Sequence, residues 1–296
     1  MKIGVIGAGS IGLLFAAYLQ TRFKVLLFTR TAEQADEINK SGITLKRADK
    51  VYNTTIEARA LAEKLPDMDL AIVAVKQYQL ENILPILDSV SNVLFLQNGM
   101  GHLKLISRLS SNNLFVGTVE HGAFREGAAA VTHNGTGVTK AAVFRGDGKM
   151  LSALAEREIG SFPFTVESDY YSMLANKLAA NAVINPLTAI LRVENGQLIA
   201  NPFYERNLEA LYHEVASILE FDDKEAQLEN IKRICKNTAE NRSSMLKDIE
   251  AGSVTEIDAI LGYLLEQAEA KGKNVPLITA FYHLVKGIES GMGGNR

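Results

Sequence analysis

The chain has 296 residues, 47% of them apolar and 22% charged, an ordinary balance for a globular protein and a length that suits two domains. Its 31 Lys+Arg against 34 Asp+Glu leave a net charge of -3, which supplies no whole-protein field for nucleic acid or an anionic membrane. A single cysteine, Cys235, excludes an internal disulfide and a Cys-rich zinc site and favours a reducing compartment, and the five histidines show no metal-ligand spacing.

Between Lys2 and Arg22 the chain carries no charge, but Gly4, Gly7, Gly9 and Gly12 interrupt any helix there. The segment therefore reads as strand, turn and helix rather than a signal peptide or membrane span, and the protein is expected in the cytoplasm. Lys2–Gly7 is a predicted buried strand, Ser10–Gln20 a helix and Lys24–Thr29 a second strand. Predicted helices at Thr31–Ser41, Gln79–Leu87 and His102–Leu109 alternate with strands at Leu70–Val75, Asn92–Leu96 and Leu114–Thr118. This alternation implies βαβ units on a parallel sheet. Glycine-punctuated pieces from Glu120 to Phe144 are expected to be antiparallel strands that finish the sheet. Beyond residue 165 the spacing of apolar residues is helical, over Tyr170–Leu191, Pro202–Phe221, Lys224–Ile249, Glu256–Lys271 and Pro276–Ser290, and the tail Gly291–Arg296 is expected to be disordered. The expected architecture is an α/β Rossmann-type dinucleotide-binding domain over 1–167 and an all-α C-terminal domain over 168–296.

Gly7-Ala8-Gly9-Ser10-Ile11-Gly12 is G-x-G-x-x-G, placed after a strand and opening a helix. Gly7 suits the tight turn, Gly9 close approach of a pyrophosphate, and Gly12 close packing of helix on strand. The second strand ends in Thr29-Arg30-Thr31 rather than in the acid of an NAD site, and Glu33 comes too late to replace it. A guanidinium at Arg30 suits a ribose 2′-phosphate, with hydroxyls of Thr29 and Thr31 beside it. Lys76, just after another strand, offers a second positive charge. NADPH/NADP is thus the expected cofactor. Asn98, in the Gln97–Gly101 loop, can hydrogen-bond both nicotinamide ribose and substrate, although Asn-Gly is also an ordinary turn pair.

In the helical half, Lys177, Asn181 and Asn185 recur every four residues on an otherwise small, apolar helix, and Pro186 removes a backbone donor there. Polar groups on a buried helix are costly without partners, which marks a functional face. A second polar cluster runs from Glu240 to Ser244 and then Thr255 to Asp258, where Ser253-x-x-Glu256 also fits a capping box.

GAGSIG, LQNGMG, EHGAFREG, NKLAANAVINPLTA and NRSSMLKDIEAGSVTEIDAI together resemble the ketopantoate reductase family, in order and over nearly the whole length. The resemblance implies NADPH-dependent reduction of 2-dehydropantoate to pantoate, on the route to pantothenate and coenzyme A, in a cleft between the two domains. It makes Lys177 the catalytic lysine and Glu256 its partner carboxylate. Asn98, Asn181, Asn185, Asn241 and Ser244 become substrate-binding residues. Gly7, Ala8, Gly9, Ser10, Ile11, Gly12, Arg30, Lys76, Asn98 and Glu256 become cofactor-binding residues. The family often carries Asn where this chain has Leu261. The implied partner is a small keto acid, with no nucleic acid, membrane or metal, and monomer or homodimer both stay open. Two alternatives are a related reductase of another 2-keto acid and a protein that senses NADPH without turnover. The presence of both Lys177 and Glu256 disfavours the sensor.

Overall fold

The computed structural model describes residues 1–111 and 113–293. The chain divides into two compact units, Met1–Gln97 with His102–Met173, and Asn98–Gly101 with the chain from Leu174 onward. The first unit contains β1 (Lys2–Ile6), α1 (Ser10–Leu19), β2 (Lys24–Thr29), α2 (Ala32–Ser41), β3 (Ile43–Arg47), β4 (Lys50–Thr54), β5 (Glu57–Ala60), β6 (Leu70–Val73), α3 (Leu80–Leu87), β7 (Asn92–Phe95), α4 (His102–Ile106), β8 (Asn113–Val119), β9 (Gly122–Arg125), β10 (Ala130–Gly135), β11 (Thr139–Arg145), α5 (Lys149–Ala155) and β12 (Phe164–Glu167).

Eight strands form the main sheet in the order β12-β11-β8-β7-β6-β1-β2-β5. From β5 to β8 every pairing is parallel. Such strands are buried on both faces, which is why β6 is four consecutive core residues, Leu70 to Val73. Strand order reverses across β1, with β2 on one side and β6 on the other, so ligands are expected off the carboxyl end of β1.

The 120–144 region differs from expectation. Only β11 joins the main sheet, antiparallel to β8. β9 and β10 join β3 and β4 in a second sheet, ordered β4-β3-β10-β9. Its inner residues Ile43, Leu45, Val131 and His133 are buried, and α1 packs against β3, β9 and β10. There the Tyr18 hydroxyl meets His133 Nδ1 at 2.8 Å, and the His121 ring stacks on Phe162.

His102 opens α4 fully buried, with neither ring nitrogen hydrogen-bonded among the described residues. Burial pushes its pKa from the ordinary 6.5 down to about 4, because a charged imidazole there loses its water. The unfolded chain therefore binds this proton more readily than the native one, and stability falls as pH drops through that window. The loss amounts to roughly 3 kcal/mol from this group. Replacing His102 with Leu should flatten the pH dependence of Tm between pH 6.5 and 4; an unchanged slope would remove His102 as its cause.

The second unit is helical. α6 (Tyr170–Leu191) begins in the first unit and continues into it, followed by α7 (Gln197–Ala200), α8 (Pro202–Ile218), α9 (Lys224–Asn237), α10 (Ser244–Glu250), a π-helical turn (Asp258–Gly262), α11 (Tyr263–Ala270) and α12 (Pro276–Gly293). α8 buries Leu208, Leu211, Tyr212 and Val215, the one-sided stripe of an amphipathic helix. α6 runs through Pro186, and the Thr188 hydroxyl bonds the carbonyls of Ile184 and Asn185 in the turn the proline interrupts.

The single helix expected over Lys224–Ile249 is two helices. Backbone bonds from Asn195 and Gly196 to the carbonyls of Asn241 and Ala239 draw the chain out of helix after Asn237. Ser243 then caps α10 by accepting the Leu246 N–H. At the tail, α12 extends to Gly293, past the expected end at Ser290; residues 294–296 lie outside the described residues. Among the described residues no helix is long and apolar enough to cross a membrane, and no cluster of His, Cys, Asp and Glu fits a metal ion.

Candidate active site

The glycine loop forms where β1 ends. Gly7 takes φ +104, a conformation open to glycine, and its N–H donates to the Phe28 carbonyl at 2.9 Å. Gly9 is the N-cap of α1, whose first turn carries no acidic residue. That leaves the first N–H groups and the positive end of the helix dipole for an anion. The two later glycines differ in kind. A side chain at Gly12 would overlap the Gly7 carbonyl oxygen, whereas one at Gly9 would meet nothing within 4 Å. Packing therefore explains Gly12, and room for a ligand explains Gly9. The loop is braced by Gln34, whose Nε2 donates to the carbonyls of Ala8 (3.0 Å) and Ala128 (2.8 Å). Ser10 Oγ accepts the Arg125 N–H at 3.2 Å, which keeps its own proton available to a phosphate. Ile11 is half-buried against the core of this unit.

Ile6 lies level with Phe28 of β2 and with Val73 of β6. Gly7, Arg30 and Lys76 thus leave the sheet at one edge, on adjacent strands about 5 Å apart. Arg30 is exposed. The neighbouring hydroxyls are not set out for a phosphate as expected. Thr29 Oγ1 donates to the Thr31 carbonyl (2.7 Å) and to that of Arg59, while Thr31 Oγ1 caps α2 by accepting the Gln34 N–H. They shape the loop and leave the cationic role to Arg30. Lys76 is half-buried ahead of a 3-10 turn, Gln77–Gln79, with its N–H on Gln79 Oε1. Gln97 ties the ends of β7 and β6 together by donating to the carbonyls of Val73 and Val75.

In the helical unit, Lys177 and Asn181 are half-buried and Asn185 is buried, on successive turns of α6 about 6 Å apart. Thr188, one turn further on, meets Ser243 Oγ at 2.8 Å. This bond seats the turn bearing Asn241 and Ser244, both exposed, beside the Asn185 end of the polar stripe. A second grouping joins residues far apart in sequence. Asn98 Nδ2 donates to Glu256 Oε2 at 2.7 Å. Gly99, at φ +79, lies so close to Ala259 that any side chain would overlap the Ala259 carbonyl.

The capping box expected at Ser253–Glu256 gives way to another arrangement. Gly252 turns left-handed and the Ser253 N–H closes back onto Asp248, so helical structure resumes only at Ile257. Glu256 then precedes the helix instead of standing at its third position. Thr255 Oγ1 accepts the Ile257 N–H at 3.1 Å, and the Glu256 carboxylate is turned to Asn98. The π turn that follows is an irregularity often found at functional sites, and Leu261 within it is wholly buried. Gln34, Gln97, Arg125 and Thr188 escaped the sequence reading. Gln97, Arg125 and Thr188 had a signal, their places in LQNGMG, EHGAFREG and NKLAANAVINPLTA, and Gln34 had none.

The sequence profile described as "Ketopantoate reductase PanE/ApbA" matches residues 3–146, and its C-terminal counterpart matches 169–289. The chain belongs to the ketopantoate reductase family. It is 39% identical to the 2-dehydropantoate 2-reductase of Bacillus subtilis over 293 residues, 98% of each chain. Identity to that of Listeria monocytogenes is also 39%, over 98% of this chain and 97% of the other. The crystal structure of the probable 2-dehydropantoate 2-reductase from Bacillus subtilis superposes with a TM-score of 0.90, covering 97% of this chain and 100% of that one at 38% identity.

Proposed function

We propose that the chain is an NADPH-dependent 2-dehydropantoate 2-reductase, with NADPH held by residues 1–167 and the keto acid and proton donor supplied by residues 168–296. The observation that carries this is the open space beside Gly9 at a helix start with no side-chain cap, in a chain that matches its Bacillus subtilis relative over 98% of each. Gly7–Gly12 would receive the pyrophosphate, with Ser10 donating its hydroxyl proton, and Arg30 and Lys76 would face the 2′-phosphate. Bound NADPH supplies hydride to the keto carbon. Lys177 offers its ammonium to the keto oxygen, offsets the charge that develops there and gives up the proton that completes the alcohol. Glu256 favours the charged lysine, and its carboxylate is oriented by the Asn98 amide. Asn181, Asn185, Asn241 and Ser244 bind the substrate carboxylate and hydroxyl without adding negative charge. The product, pantoate, leads toward pantothenate and coenzyme A. A single buried cysteine suits a cytoplasmic enzyme.

The test is an absorbance assay with purified protein, NADPH and 2-dehydropantoate, repeated with pyruvate and oxaloacetate. Oxidation with 2-dehydropantoate far above the other acids is expected. Preference for another acid would transfer the reading to a sister reductase, and no oxidation with any would end it. Arg30→Asp should weaken NADPH binding by roughly 10- to 100-fold, the worth of one charge-assisted contact, and leave NADH nearly unaffected. Equal weakening of both nucleotides would take the 2′-phosphate away from Arg30.

A further inference from the structure

We propose that Glu289, on the last helix, is a positioning residue for Glu256, clamping the turn that presents the Glu256 carboxylate. The inference rests on the reading of Glu256 given above. Thr255, the residue before Glu256, is 2% exposed and donates its N–H to Glu289 Oε1 at 2.8 Å. Its hydroxyl accepts from Ile257, so Glu256 sits at the centre of a turn held from both sides. The same helix fixes the far side of the turn. Tyr282 OH donates to Asp258 Oδ1 at 2.7 Å, and Lys286 Nζ bridges Asp258 Oδ2 and Glu289 Oε2, both at 3.1 Å. Residues 282, 286 and 289 share one face of α12. Residues 255 and 258 are thereby pinned to one helix, and Glu256 between them meets Asn98.

Two features separate this clamp from ordinary surface pairing. The Glu289 side chain is only 11% exposed, against 60% for Asp258, and a carboxylate so placed is costly unless its oxygens are engaged. One oxygen holds a backbone N–H and the other an ammonium, so both are engaged. Charge is the second feature. Lys286 pairs with both carboxylates at once, so a single cation ties Asp258 of the turn to Glu289 of the helix.

The test is a double-mutant cycle. Glu289→Leu should lower kcat/KM for 2-dehydropantoate by about 10²-fold, the usual cost of a catalytic group displaced by about 1 Å. Thr255→Val, which keeps the side-chain volume and removes the hydroxyl, should act in the same direction. Glu289→Gln keeps an acceptor for the Thr255 N–H and should restore most of the activity. Amide exchange at Thr255 and Ile257 should accelerate in Glu289→Leu and stay slow in Glu289→Gln. In a Glu256→Gln background, Glu289→Leu should cost less than about twofold more, because coupled residues are not additive. A full multiplicative loss in the double variant, or an unaffected Glu289→Leu enzyme beside an impaired Glu256→Gln enzyme, would overturn the clamp alone. Full activity in Glu256→Gln would instead overturn the role given to Glu256, and the clamp's purpose with it.

Discussion

Lys177→Ala is expected to lose about 10²- to 10⁴-fold in kcat, the range for a positioned general acid, while NADPH binding to the free enzyme changes little. The asymmetry follows from where the side chain belongs. Lys177 stands on α6 in the helical unit, and the glycine loop, Arg30 and Lys76 all belong to the other unit. An ammonium that meets the keto oxygen is worth most when that oxygen becomes an alkoxide, so its removal raises the barrier more than it weakens ground-state binding. Lys177→Arg separates the two duties. The guanidinium keeps the charge but cannot release a proton at accessible pH, so stabilisation should survive in part and proton delivery should not. Fluorescence titration with NADPH and stopped-flow absorbance with 2-dehydropantoate read the two effects separately. An alanine variant with wild-type kcat would remove Lys177 from the chemistry.

The elements around the cofactor loop were legible because their cause is local. β1, the glycine turn and α1 are adjacent in sequence, and an uncharged run broken at Gly7, Gly9 and Gly12 admits few other folds. β4 was not legible, for the opposite reason. Lys50–Asn53 is exposed residue by residue, so no alternation of apolar and polar residues betrays a strand. β9 and β10 could be seen as strands, but not their sheet, since β10 pairs in parallel with β3, far upstream. The Asn98–Glu256 bond spans 158 positions, and nothing in the spacing of either residue hints at the other. Resemblance named both as site residues, and the structure supplied the bond between them. The misplaced capping box is a competition between local rules. Ser253-x-x-Glu256 has the right residues, but the left-handed turn at Gly252 delays the helix until Ile257, and Thr255 takes the capping hydroxyl's part.

Gly9→Ala and Gly12→Ala form a matched pair with opposite expected outcomes, though both remove a glycine from one six-residue motif. At Gly12 a methyl group would overlap the Gly7 carbonyl. Either α1 moves off β1 or the turn opens, and packing in this core should lose several kcal/mol, beyond the usual 1–3 kcal/mol of overpacking because backbone is struck. At Gly9 the same methyl meets no protein atom. Alanine is also a poorer N-cap than glycine by about 1 kcal/mol at most, so Tm should fall only slightly. What the methyl does occupy is the space at the helix start that a pyrophosphate would need. NADPH affinity in Gly9→Ala should therefore drop about 100-fold or more, the scale of losing several charge-assisted backbone contacts, in a protein that still melts cooperatively. Calorimetric titration with NADPH beside a thermal melt of each variant separates the two cases. A Gly9→Ala protein that binds NADPH like the parent would move the pyrophosphate away from this loop, and a Gly12→Ala protein with the parent's Tm would contradict the contact that makes Gly12 structural.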